Sequence, residues 1–142
     1  MNRATQLFLF LTLMLWATVI GGIMYSHIVY FPPYLGHLPE STALLNGPYG
    51  LHDEIIWMFI HPVLILSLII TVILNWKLKK RRKYIFIAMG IYALVIITTA
   101  TYFLPELFLF AKSNESNAMT PTEWIKRGQT WQYMSWVRGA FM

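Results

Sequence analysis

Two histidines inside apolar surroundings, His27 and His61, are the side chains best suited to proton chemistry near neutral pH in this chain. Glu54, Met58 and His61 follow one another at spacings of four and three, so in a helix they share one face. Pro62 comes next, and a proline within a helix removes a backbone donor and leaves the Met58 carbonyl open beside that face. A base, a carboxylate and an orphaned carbonyl on one stripe describe a polar pocket opening to the outside. The same residues also fit a Glu54 at a water interface and a His61 satisfied by a neighbouring carbonyl. His27, beside Ser26, has the same two readings: a residue bonded to its helix or to the interface, or part of a site. The chain contains no Cys, which excludes thiol catalysis, disulfide exchange and thiolate metal sites.

The element that must carry His61 runs from about 52 to 77. After His52, Asp53 and Glu54 it is apolar from Ile55 to Trp76, interrupted only by His61 and Pro62, and it ends in a basic loop at 77–83. Such a run is long enough for a bilayer, whose hydrocarbon core of about 30 Å needs about 20 helical residues. Lys77, Lys79, Lys80, Arg81, Arg82 and Lys83 mark that loop as cytoplasmic, because short Lys/Arg-rich loops stay inside. Glu40, Asp53, Glu54, Glu106, Glu115 and Glu123 then fall on or near the other side.

Composition agrees. Of 142 residues 57% are hydrophobic and 12% charged, where soluble domains carry roughly 25% charged residues. The net charge of +5 could suggest nucleic acid, but more than half of the basic residues sit in the 77–83 loop. They read as a topology signal and a contact for anionic lipid, and no nucleic-acid partner is expected.

Three further elements complete the chain. The first helix, about 5–31, carries 25 uncharged residues from Leu7 to Phe31 and should end at Tyr30-Phe31-Pro32-Pro33. Its apolar run is too long for a cleaved leader, so the expectation is a retained helix with its N-terminus in the cytoplasm. Small residues recur every four positions (Ala17 and Gly21; Thr18, Gly22 and Ser26) and leave room for a neighbouring helix. An outer loop at 32–51 follows, punctuated by Pro and Gly, with a short helix between Pro39 and Leu45. The third helix covers about 83–110, with Gly90 as a close-packing point and Pro105-Glu106 near its outer end. The last element, about 121–142, starts on Thr120-Pro121-Thr122-Glu123, a helix-start pattern that fits a capping box. It is too polar for a complete span, and its Trp and Tyr residues mark a membrane interface. The expected fold is therefore an all-α integral membrane protein: one membrane domain, an up-down bundle of three full transmembrane helices plus a C-terminal helix that is interfacial or an incomplete fourth span.

Four segments, GGIMYSHIVYFPPY, FIHPV, YFLPEL and WQYMSWVR, occur in that order across nearly the whole chain. Together they resemble the anthrone oxygenase-like family of small four-helix membrane proteins. In that family a hydrophobic span follows the segment resembling SWVR, whereas this sequence stops at Met142. The resemblance implies oxidation of anthrones to anthraquinones without an evident cofactor, with His, Trp and Arg as functional residues. By position these are His27, Trp136 and Arg138.

Helical rise places His27, His61 and Arg138 within about one to two turns of a common depth if a fourth helix starts near Gln129. With that alignment the expected catalytic residues are His27, His61 and Arg138. Glu54, Met58, Trp136 and Glu106 are expected to contact substrate, and Glu54 or Glu106 to pair with Arg138 or guard the entrance. The expected partners are the bilayer, a small lipophilic aromatic or quinone-like compound, and anionic lipid at Lys77 to Lys83, with a homo-oligomer left open. The alternatives are a non-catalytic membrane module that binds a ligand or packs on partner proteins, and a haem or metal protein ligated through His27, His61 or His52. The expected location is the cell membrane.

Overall fold

The computed structural model describes residues 3–52, 54–116 and 118–142, and among them every regular element is helical. Helix α1 spans Arg3–Tyr25, passes through a π turn at Ser26–Tyr30 and resumes as α2, Phe31–Leu35. A 3-10 turn at Glu40–Thr42 and the short α3, Ala43–Asn46, precede α4, Glu54–Leu74. Helix α5, Lys79–Thr98, leads into a second π turn at Thr99–Phe103 and then α6, Leu104–Ala111; α7 is Pro121–Gly139. Three of these runs, Arg3–Leu35, Glu54–Leu74 and Lys79–Ala111, are long and apolar enough to cross a membrane. Leu7, Phe10, Leu66, Ile73, Leu94 and Ile97 project outward from them. That surface is compatible with lipid contact and costly in water.

The boundaries differ from expectation in three places, each for a physical reason. The first helix does not end at Pro32-Pro33, so the outer segment begins after Leu35. Pro32 and Pro33 stand in the first turn of α2, directly after a π turn that makes room for the proline rings. The basic residues from Lys79 to Lys83 form the start of α5 rather than a loop, since Lys and Arg are good helix formers and no Gly or Pro interrupts them. The second helix, expected over 52–77, is described as Glu54–Leu74 and ends before Asn75, and Asp53, placed in its first turn by the sequence, lies outside the described residues.

The chain divides into two compact units, Met1–Gly22 with Asp53–Leu94 and Ile23–His52 with Val95–Met142. In the first, Leu64, Ser67, Leu68, Thr71, Val72 and Asn75 recur at helical spacing and form the buried stripe at the end of α4. Thr5, Thr12 and Val19, seven residues apart, form the buried line of α1. The two lines meet through hydroxyls: Thr12 Oγ1 lies 2.7 Å from Ser67 Oγ and 2.8 Å from Thr71 Oγ1. A Cβ on Gly22 would stand 2.8 Å from the Trp57 ring, so the small residue admits the indole. Gly90, expected to be a packing point, has nothing within 4 Å of its notional Cβ and faces open space.

The second unit has an aromatic core of Tyr30, Phe31, Tyr34, Phe103, Phe110, Trp124 and Trp131, with Leu35 and Leu38. Helix α7 approaches α2 closely at Gly128, whose notional Cβ is 3.1 Å from Leu35 Cβ. Its first turn carries the expected capping box: the Glu123 N–H donates to Thr120 Oγ1, and the Glu123 carboxylate accepts from the Thr120 N–H at 2.7 Å.

Candidate functional site

The two π turns place the chemistry of the second unit. In each, the backbone bond reaches back five residues: the Phe31 N–H donates to the Ser26 carbonyl and the Leu104 N–H to the Thr99 carbonyl. Each turn is followed at once by prolines in the next helical turn, Pro32 and Pro33 in one case and Pro105 in the other. A proline ring clashes with the carbonyl four residues back, and a wider turn relieves that contact. In this register the donor for the His27 carbonyl would be residue 32, a proline without an N–H. Gln132 Nε2 supplies it instead, at 3.1 Å.

His27 belongs to the first π turn and is 3% exposed. Its Nδ1 lies 2.8 Å from the Ile23 carbonyl, an acceptor only, so Nδ1 carries the proton and Nε2 presents a lone pair. That Nε2 is buried and has no hydrogen-bond partner among the described residues. Around the ring stand Trp136 at 4.9 Å between centroids, Phe31 at 5.3 Å edge-on and Trp131 stacked at 6.4 Å. Trp131 is held in turn by its indole N–H, which donates to the Phe103 carbonyl at 3.0 Å.

Arg138, one turn beyond Ser135 on α7, donates to Ser135 Oγ at 2.9 Å and to Thr99 Oγ1 at 2.7 Å. Thr99 gives its own hydrogen to the Val95 carbonyl at 2.6 Å, which leaves its lone pairs for the guanidinium. The guanidinium lies 4.1 Å over the Phe103 ring, and its buried Nε has no hydrogen-bond partner among the described residues. The acceptors it bonds are neutral, so the site holds a cation whose charge is not neutralised by a carboxylate in these bonds. That is an arrangement suited to an anionic oxygen. His27 and Arg138 are linked through α7, whose Trp136 ring meets the His27 ring and whose Gln132 bonds the His27 carbonyl.

The other expected residues fall elsewhere. Glu106, placed by the sequence as a partner for Arg138, is taken by Arg127. His61 belongs to the first unit, where its Nδ1 is 2.5 Å from the Tyr92 hydroxyl and its ring stacks on Trp57 at 5.5 Å. Glu54 is exposed, and Met58 is 71% exposed rather than turned with His61 toward a pocket. Tracing the buried stripe of α4 back from Leu64 leads to Trp57, Ile60 and His61, so the side chain beside His61 is Trp57 and not Met58. His52 is exposed, and among the described residues no group of three or more His, Asp or Glu residues is arranged to hold a metal ion.

Thr99, Gln132, Trp131 and Ser135 were not singled out by the sequence. The signal available for Ser135 and Trp131 was spacing: with Arg138 they stand at intervals of four and three on one face of α7. Nothing local marks Thr99, one of several hydroxyls in an apolar helix.

Fold and site together define an all-helical protein with three helices able to cross a bilayer and a polar C-terminal helix that carries part of a buried His–Arg site. The chain matches no family model, no curated protein and no solved structure.

Proposed function

We propose that this is a small multi-pass protein of the cell membrane, of the anthrone oxygenase-like type, that binds or oxidises a small lipophilic aromatic or quinone-like compound. The carrying observation is His27: a buried ring whose Nδ1 proton is tied to Ile23, leaving an unpartnered Nε2 among Trp131, Trp136 and Phe31. The motif resemblance supplies the reaction class, and the basic start of α5 supplies the orientation, with that end and the N-terminus cytoplasmic.

In this reading Nε2 takes a proton from the acidic methylene of an anthrone-like substrate, and Arg138 stabilises the resulting enolate oxygen. The carbanion adds dioxygen to form a hydroperoxide. Loss of water, which carries away one oxygen atom and the two former methylene hydrogens, leaves the second carbonyl of the quinone. Aromatic walls suit a flat ring system and exclude water.

The test uses the full chain in detergent or nanodiscs with anthrone, following dioxygen uptake and anthraquinone absorbance together. Matched uptake and product in wild type, lost in His27→Gln and strongly reduced in Arg138→Met, is the expected result. Undiminished turnover in both variants overturns the assignment. Saturable binding of anthrone without oxygen uptake assigns the site to a non-catalytic binding module.

A further inference from the structure

The start of α5 presents its basic residues in a spatial arrangement that the topology signal, which needs only their charge, does not require. Lys79, Arg82, Lys83, Phe86 and Ile87 stand at intervals of three, one, three and one, so they form a single stripe along the helix, basic for its first turn and apolar for the next. Trp76 closes the side of this stripe, and a groove of about 570 Å³ lies between them. Arg82 is fixed there: its Nη1 donates to the Trp76 carbonyl at 3.0 Å and its guanidinium lies 4.7 Å over the indole. Phe86 meets the same indole edge-on at 6.2 Å. Lys79 and Lys83 are exposed on either side of it.

Charge makes this an incomplete structure. The first turn of α5 contains no acidic residue, and five consecutive cations, Lys79 to Lys83, occupy the end of the helix where the backbone N–H groups already place positive charge. Cations at that end weaken a helix, and an anion seated among them reverses the sign. Trp at the end of an apolar run marks the headgroup level of a bilayer. The stripe continues from cations into Phe86 and Ile87, which a soluble anion would not contact.

We infer that this groove is a binding site for one anionic phospholipid, its phosphate between Lys79, Arg82 and Lys83 and the upper part of an acyl chain along Phe86 and Ile87. The shared chemistry is that of any phosphate ester; the apolar continuation selects a lipid as its source.

Native mass spectrometry of the full chain released from nanodiscs of equimolar phosphatidylglycerol and phosphatidylcholine tests this. Wild type should retain a single phosphatidylglycerol in preference to phosphatidylcholine by about tenfold or more. Lys79→Gln/Lys83→Gln should lose that preference. Lys77→Gln/Lys80→Gln removes the same charge outside the groove and should keep it. Excess inorganic phosphate should leave the adduct in place. Equal retention of the two lipids, equal loss in both double variants, or displacement by inorganic phosphate each overturns the proposal. The first would show no headgroup selection, the second a diffuse charge effect, and the third a site for free phosphate.

Discussion

Arg127 and Glu106 form a two-pronged ion pair, with Nε 2.7 Å from Oε2 and Nη2 2.6 Å from Oε1. This geometry matches the planar fork of the guanidinium to both carboxylate oxygens, and it ties α7 to the first turn of α6. The arginine side chain is 39% exposed and the glutamate 14%. Solvent therefore screens part of the attraction, and a double-mutant cycle with Arg127→Met and Glu106→Gln should give a coupling of about 1 kcal/mol. Detergent unfolding curves would measure it, and a coupling indistinguishable from zero would mean the pair adds nothing to stability.

Acid should loosen the start of α7. The Thr120 backbone N–H, and after it the Thr120 hydroxyl, hold the Glu123 carboxylate below its ordinary value of 4.5. A depressed carboxylate stabilises the fold above its unfolded pKa, and that contribution is lost as pH falls through the folded value. Hydrogen exchange at the first turn of α7 should therefore accelerate, after correction for intrinsic rates, only as pH falls below about 4.5, and not in Glu123→Gln. A corrected profile that is flat in wild type would count against the capping role.

The hydroxyls of Thr12, Ser67 and Thr71 should hold α1 and α4 in register. Thr12→Val keeps shape but removes a group bonded to both partners, and interhelical bonds of this kind are worth about 0.6 to 1.7 kcal/mol in bilayer proteins. Unfolding by mixed detergent should shift accordingly. No shift would show that Ser67 and Thr71 find equivalent acceptors on their own helix.

Two glycines give opposite expectations. Gly128→Ala brings a methyl against Leu35 at 3.1 Å and should destabilise by about 1 to 3 kcal/mol as neighbours move. Gly90→Ala enters open space and should stabilise α5 by up to about 1 kcal/mol through helix propensity. Thermal midpoints of the two variants moving in the same direction would contradict this assignment of close and open faces.

How far the sequence carried follows from where each signal resides. Long apolar runs declare themselves, and so does a Thr-Pro-Thr-Glu helix start, because both are local. The start of α5 was misplaced because Lys79 to Lys83 serve two purposes at once, and the topology signal obscured the good helix formers. The π turns were invisible: a single inserted residue shifts the helical phase at Ser26–Tyr30 without changing composition. On α4 the face was read from Glu54 toward His61, whereas the buried stripe from Leu64 onward gave the better reference. Of the site, His27 was legible from its setting; the resemblance brought in Arg138. Their partners Thr99 and Gln132 come from distant sequence, and pairings of that kind have no local signature.

The polarity of α7 has a consequence for the helices beside it. A broken backbone ladder needs something to replace water, and at the first proline-flanked π turn α7 plays the part of the solvent. Gln132 takes the place of the missing proline donor at the His27 carbonyl, while Trp131 and Arg138 bond the Phe103 carbonyl and the Thr99 hydroxyl at the second turn. A polar residue on α7 thus supplies the donor that the first proline-flanked turn lacks, and an apolar side chain in place of Gln132 would leave the His27 carbonyl uncompensated.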